Sequence, residues 1–371
     1  MRVHVVVPEG FDNPGQPTGG NIYDRRVCAG LAEAGWEVLV ATVATAAWPV
    51  PGAGARADLD RIFSAIPDGE TVLIDGLIAS PAAAQLLPHT GRLRMTVLLH
   101  MPLATVPGTQ HDASAQRSER AVLRASTGVV VTSDWTRRQI LTRYEIPACR
   151  VHVARPGADR VAAPGRPVRG QLICVGVLGR HKGQDLLVEA LAGLADRDWH
   201  CVLAGPLDRE PDFVEQLRTR ITRLGYGHRV RLTGVLTGAA LSHAYSTADL
   251  LVAPSRLETY GMTVTEALAH GLPVIAAAVG GLPEALGCTA DGTRPGQLIP
   301  AGDPAALAAA MGDWLGDERH RSRLRAAAGQ RRSTLRGWEQ TTQELANALT
   351  AHGRSKPVPP GMSNHPGESA R

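Results

Sequence analysis

Two apolar runs bracket the stretch that most constrains this chain. The first, Asp249-Leu250-Leu251-Val252-Ala253, stops abruptly at Pro254-Ser255. The second, residues 274–279, ends in Gly280-Gly281. Between them come a polar loop carrying Glu258, then Gly261, a helical segment bearing Glu266, and the helix stops Gly271 and Pro273. Short apolar runs bounded by turn residues read as buried strands, and the layout strand, loop, helix, strand is that of an open parallel sheet. Such sheets hold ligands at the carboxyl ends of their strands. Glu258 and Glu266 stand at that edge and are the first candidates for holding one.

The same unit recurs along the chain. Residues 3–7 form a β-rich run, followed by a Gly/Pro loop over 10–20 and a helical pattern over 21–33. Strand-like runs follow at 38–40, 72–74, 96–99, 128–131 and 151–153. A helix over 135–144 is capped by Ser133 or Asp134. Asp75, His100 and Ser133 each fall at a strand's carboxyl end. A Pro/Gly/Arg linker spans 158–170, and a second series of strands and helices begins at Leu172. After Pro304 the pattern is two Ala/Leu-rich helices reaching Thr350. The expected fold class is α/β, two Rossmann-like, doubly wound parallel-sheet domains facing a central cleft. The expected divisions are residues 1–165, 166–332, a C-terminal helix over 333–352 packing back toward the first domain, and a disordered tail over 353–371.

Composition excludes several classes. The chain of 371 residues suits two domains. Basic residues exceed acidic ones only 39 to 35, and no basic run alternates with aromatics, so nucleic acid is not an expected partner. No apolar run is long enough to span a bilayer and no signal peptide is readable, so the chain reads as cytoplasmic. The five cysteines are widely spaced with no CxxC pair and read as small buried hydrophobes. The arginines at 117, 120 and 124, interrupted by Glu119, read as a solvated helix face rather than a membrane contact. Thirteen histidines show no HxxxH spacing, so no metal site is expected.

The chain has only two lysines, Lys182 and Lys356, and Lys356 lies in the tail. Lys182 ends the loop Gly176-Val177-Leu178-Gly179-Arg180-His181-Lys182-Gly183, between a strand and a helix. Glycines, a helix N-terminus and the charges of Arg180 and Lys182 together suit a diphosphate. The alternative is a solvated Arg/Lys pair. The loop is not a P-loop, since GxxxxGK[ST] is absent. Gly19 and Gly20 precede the first helix, so backbone there can approach a ligand closely, but the spacing is not GxGxxG. Glu258 and Glu266 fit either sugar hydroxyls or, as a carboxylate pair, glycoside hydrolysis. His100 fits a general base, a ligand contact or a satisfied core histidine, and Asp75 carries the same ambiguity.

The stretch PSxxExxGxxxxEAxAxGxPVIA followed by GGxPE, here Pro254, Ser255, Glu258, Gly261, Glu266, Gly271, Pro273, Gly281 and Glu284, resembles the signature of retaining glycosyltransferases of family 4, which have the two-domain GT-B fold. The resemblance covers about residues 1–350. It implies that Glu266 binds nucleotide ribose, that Glu258 contacts the donor sugar, and that Gly261 and Met262 offer backbone N–H groups. It also implies Lys182 on the diphosphate, His100 beside the reaction centre, and Gly19 and Gly20 lining the cleft. The family often has an arginine where this chain has Val177, and Arg180 is the candidate replacement.

The resulting expectation is a retaining transferase moving a sugar from a nucleotide-diphosphate sugar to the hydroxyl of a small molecule or saccharide, with no cofactor and no metal. The rivals are a sugar phosphorylase or nucleotide-sugar epimerase of the same fold, and a non-catalytic nucleotide-sugar binder. Pyridoxal phosphate is disfavoured because no spare folded lysine exists. The donor base, the sugar, the acceptor and the oligomeric state are not encoded legibly. The loops 10–20 and 102–112 are the places where specificity contacts are expected.

Overall fold

The structure, a computed structural model, describes residues 1–15, 17–45, 52–103, 113–162 and 166–351. The tail expected to be disordered, and most of the 102–112 loop, lie outside the described residues. The described strands form two six-stranded, wholly parallel sheets. In the first half these are β1 (Arg2–Pro8), β2 (Glu37–Val43), β3 (Thr71–Asp75), β4 (Arg94–Leu99), β5 (Gly128–Val131) and β6 (Val151–Val153). The second half holds β7 (Gln171–Val175), β8 (His200–Ala204), β9 (Val230–Gly234), β10 (Leu250–Ala253), β11 (Val274–Ala277) and β12 (Gly296–Ile299). Central strands such as β3, β5, β10 and β11 are buried at every position, which is why they read as continuous apolar runs rather than alternating ones.

Strand order decides where ligands can sit. The first sheet runs β2-β1-β3-β4-β5-β6 and the second β12-β11-β10-β7-β8-β9. The order reverses between β1 and β3 in one half and between β7 and β10 in the other. At these switch points the crossover helices leave on opposite faces and open a crevice at the strands' carboxyl ends. The loops after β7 and β10 carry Lys182 and Glu258, the segment after β1 leads to Gly19-Gly20, and β3 itself ends in Asp75.

Several expectations are corrected here. The edge strand β12 was not expected, and three helices rather than two follow Asp303: Pro304–Gly316, Glu318–Ser333 and Trp338–Ala351. Asp317 separates the first two, its carboxylate accepting from the amides of Arg319 and His320 as a helix N-cap. Glu119 is not on a solvated face. It is fully buried, accepting from Ser80 Oγ at 2.7 Å, from the Leu103 amide at 3.1 Å and from the Tyr144 hydroxyl. Only Cys174 and Cys201 are buried; Cys149 and Cys288 are exposed and Cys28 is intermediate.

The last described helix, Trp338–Ala351, returns to the first half. Leu345, Ala348 and Leu349 share one core with Val3, Val5, Val27 and Leu31, and the Trp338 ring meets Tyr23 edge-on at 5.8 Å. Leu345→Ala is expected to destabilise the first half by about 2–5 kcal/mol, through lost burial plus the cavity left behind. Denaturant unfolding followed by a probe in that half measures it.

The two halves also touch directly. Ser133 Oγ donates to the Thr259 carbonyl at 2.6 Å, beside Glu258. The Asp134 amide donates to Glu284 Oε2 at 2.9 Å, and Arg155 Nε donates to Glu284 Oε1 at 2.5 Å. Glu284, the last residue of the signature stretch, therefore joins the halves.

Candidate active site

A cleft of about 1050 Å³ lies between the halves. Of the residues picked out in the sequence, Gly19, Gly20, His100, Lys182, Glu258, Gly261, Met262 and Glu266 line it. Two others do not, and each has a physical reason.

Arg180 sits in a 3-10 turn, Arg180–Lys182. At three residues per turn, side chains two apart leave on different sides, so Arg180 cannot follow Lys182 into the cleft. It is exposed, lies over Phe213 at 5.9 Å and donates to Gln216 Oε1 at 3.0 Å. The place left by Val177 is therefore not filled by Arg180, whereas Val177 itself and His181 line the cleft. Asp75 is 4% exposed and is not among the lining residues. One of its oxygens accepts from the Leu77 amide at 2.5 Å, capping a short helix, and the other lies 3.7 Å from His100 Nε2. It stands behind His100 rather than facing a ligand.

On the second-half wall, Lys182 Nζ donates to Glu258 Oε2 at 2.5 Å. An ammonium has three donors, so this contact leaves two for an anion while fixing the lysine's position. The helix Met262–Ala269 starts at Gly261, which has φ 107° and provides no side-chain cap. The helix Gly238–Thr247 likewise starts without a side-chain cap hydrogen bond. Gly238 and Gly261 both line the cleft, so two helix N-termini present N–H donors and partial positive charge to it. Glu266 accepts from the Tyr245 hydroxyl at 2.8 Å, and burial pushes its carboxyl up to about 7. The Glu258 loop is held from behind at Gly280, which has φ +58°; a Cβ there would overlap the Glu258 carbonyl oxygen.

On the first-half wall, the helix Gly19–Glu33 is capped by Thr18, whose Oγ1 accepts from the Asn21 amide at 3.1 Å. Gly20 lies against His100: a Cβ at Gly20 would stand 3.2 Å from His100 Cδ2. Beneath the imidazole is a residue that the motifs do not reveal. Asp24 is 1% exposed, and its Oδ1 lies 2.9 Å from His100 Nε2. Its signal in the sequence was a charge on the apolar stripe Tyr23, Val27, Leu31 of the first helix, where a solvated carboxylate has no place.

The comparisons with known proteins agree with this geometry. Residues 165–331 match the family model described as glycosyl transferases group 1. The second half of the chain is the part that resembles that family. A D-inositol 3-phosphate glycosyltransferase 1 of Catenulispora acidiphila is 32% identical over 281 residues, covering 68% of this chain and 65% of the relative. A D-inositol 3-phosphate glycosyltransferase of Xylanimonas cellulosilytica is 31% identical over 259 residues, covering 65% and 60%. The chain thus spans a little under two thirds of these curated relatives. Among solved structures, a sucrose-phosphate synthase from Thermosynechococcus elongatus superposes with a TM-score of 0.77 at 23% identity, over 95% of this chain and 98% of that one. Anabaena HepE in complex with UDP-glucose gives a TM-score of 0.74 at 18% identity, over 95% and 100%. The architecture of the chain is the two-domain GT-B fold. No helix among its described residues is long and apolar enough to cross a membrane.

Proposed function

We propose that the chain transfers a glycosyl group from a nucleoside-diphosphate sugar to an acceptor hydroxyl, with retention at the anomeric carbon. The observation that carries this reading is the convergence on one cleft of Lys182, two helix N-termini without side-chain caps, and the carboxylates Glu258 and Glu266. The first two suit a diphosphate and the carboxylates suit hydroxyls.

In the proposed reaction the bond from C1 of the sugar to the diphosphate oxygen breaks. Lys182 and the N-terminal amides of the helices starting at Gly238 and Met262 neutralise the charge that develops on that oxygen. The acceptor oxygen bonds to C1 from the same face, and its proton passes to the departing phosphate oxygen. Glu258 holds Lys182 and accepts from the donor sugar, Glu266 accepts from the ribose hydroxyls, and His100 faces the reaction centre from the other wall. Charge neutralisation by side chain and backbone supports a reaction that uses neither a metal nor an organic cofactor. The acceptor is a small polyol, its phosphate, or a saccharide; the relatives are named for D-inositol 3-phosphate.

Incubation with a panel of nucleotide sugars and such acceptors, with the product's anomeric configuration read by proton NMR, tests the reading. The expected product keeps the donor's configuration and forms equally in the presence of a chelator. An inverted product, or phosphate-dependent release of sugar without acceptor, contradicts it.

Two further outcomes are expected. Gly280→Ala drives a Cβ into the Glu258 carbonyl and displaces the loop, so kcat/KM should fall about 10²-fold. A thermal melt separates this from global unfolding. Second, Glu266 accepts hydroxyls best when ionised, and its carboxyl sits near 7. Donor KM should therefore rise by about tenfold for each pH unit well below 7 and flatten above it. In Glu266→Ala that acid rise should vanish.

A further inference from the structure

Behind His100 lies a group of ionisable side chains without a cation. Asp24 and Asp75 are 1% and 4% exposed, and each pairs with His100 and with no arginine or lysine among the described residues. The groups facing them can be named by element. The first helix contributes Tyr23, whose ring meets His100 edge-on at 5.1 Å while its hydroxyl donates to the Ala154 carbonyl at 2.9 Å. It also contributes Cys28, whose thiol burial pushes up to about 12 and so keeps neutral. The last described helix brings the neutral Trp338 against Tyr23, and its Glu344 is paired with Arg336 at 2.6 Å.

Two carboxylates cannot both ionise in such a place, for the same reason that close acid pairs elsewhere share a proton. The oxygens account for where it goes. Asp75 Oδ1 takes the Leu77 amide, and Asp24 Oδ1 lies 2.9 Å from His100 Nε2. Asp24 Oδ2 is buried with no hydrogen-bond partner. A proton on Asp75 is the donor at hand, since a carboxylate oxygen of each aspartate and a ring nitrogen of His100 all lie within 4.8 Å of one another.

We infer that Asp24 and Asp75 are a proton-sharing pair that positions His100: Asp75 donates to Asp24, and Asp24 accepts from Nε2–H and locks His100 in one neutral tautomer. Nδ1 is then the bare ring nitrogen, left to accept from a hydroxyl of the ligand in the cleft. That role in turnover rests on the transferase reading; the tautomer does not. Burial lowers the His100 pKa and raises that of Asp75 well above the ordinary carboxyl range, both of which favour this state. Burial also pushes Asp24 up to about 7, Asp75's hydrogen bond opposing. Below that pH a second proton enters the pair, the negative charge that holds Nε2–H is neutralised, and kcat falls.

The test uses the full chain labelled with 15N-histidine, His100 being assigned by comparison with H100Q. The expected spectrum is the neutral Nε2–H form between pH 7.5 and 8.5, without added metal and unchanged by a chelator. An Nδ1–H tautomer, an imidazolium at pH 7.5, or a metal on Nε2 overturns the inference, whatever the protein's activity. In turnover, Asp24→Asn should lower kcat by about tenfold or more, leave donor KM within about twofold, and shift or abolish the acid limb near 7. An unchanged kcat with an unchanged limb also overturns it. If Asp24→Asn does not fold, Asp75→Asn, which keeps an acceptor for the Leu77 amide, should show the same displaced limb. An absence of any transferase activity would remove the ligand assignment and leave the spectrum as the deciding result.

Discussion

Lys182→Ala is expected to lower kcat by about 10²–10³-fold while changing donor KM far less. The asymmetry follows from when the charge appears. The bound diphosphate is already anionic, but its bridging oxygen gains charge only as the glycosidic bond breaks, and the ammonium is placed for that moment. Lys182 also holds Glu258 at 2.5 Å, so its removal leaves a carboxylate of 13% side-chain exposure without its cation, near the bound anion. The variant should therefore be worse than loss of one donor alone, and Glu258→Gln in the same background should recover part of the loss. A double-mutant cycle measures that coupling. Lys182→Arg should restore little, because a planar fork does not reproduce a compact ammonium in this loop. Arg180→Ala should keep kcat within about twofold, since its guanidinium lies on Phe213 and Gln216 outside the cleft.

Glu266→Ala is expected to raise donor KM by about 10–100-fold with kcat at saturating donor little changed. A charge-assisted hydrogen bond contributes about 1.5–3 kcal/mol, and this interaction is made equally in ground and transition states. The variant should also change the pH dependence of stability. The ordinary value of a glutamate is 4.5, and burial raises Glu266 to about 7. Between those values the folded protein holds a proton that the unfolded chain has released. The Glu266 contribution to stability is thus present below about 4.5 and lost as pH rises through 7. Glu266→Ala should abolish that part of the slope in the absence of donor, although it leaves the Tyr245 hydroxyl without its acceptor.

What was legible in the sequence is what depends on short range. Strands such as Leu250–Ala253 and Val274–Ala277 are buried on both faces, so their apolar runs identify them without knowledge of their partners. Strand Gly296–Ile299 has a glycine and a glutamine in four residues; it is a strand because Val274–Ala277 pairs with it, which no local pattern records. The cleft positions of Lys182, Glu258 and Glu266 were legible because these residues sit in loops and a short helix whose ends the glycines and prolines mark. Arg180 was misjudged because charge in a tight turn does not say which side a residue faces. Asp24 and Glu119 were missed as buried groups because the side chains they meet lie far along the chain, His100 for Asp24 and Ser80 and Tyr144 for Glu119.

On the proposed reading, the second-half wall of the cleft holds a nucleoside-diphosphate sugar through Lys182, Glu258 and Glu266. Thermal unfolding of the wild-type chain and of Glu266→Ala, with saturating UDP-, GDP-, ADP- and dTDP-sugars in turn, tests it most directly. One nucleotide series is expected to raise the wild-type melting temperature, and the shift should largely disappear in Glu266→Ala at the same concentration. No shift with any series, or an equal shift in the variant, would contradict it.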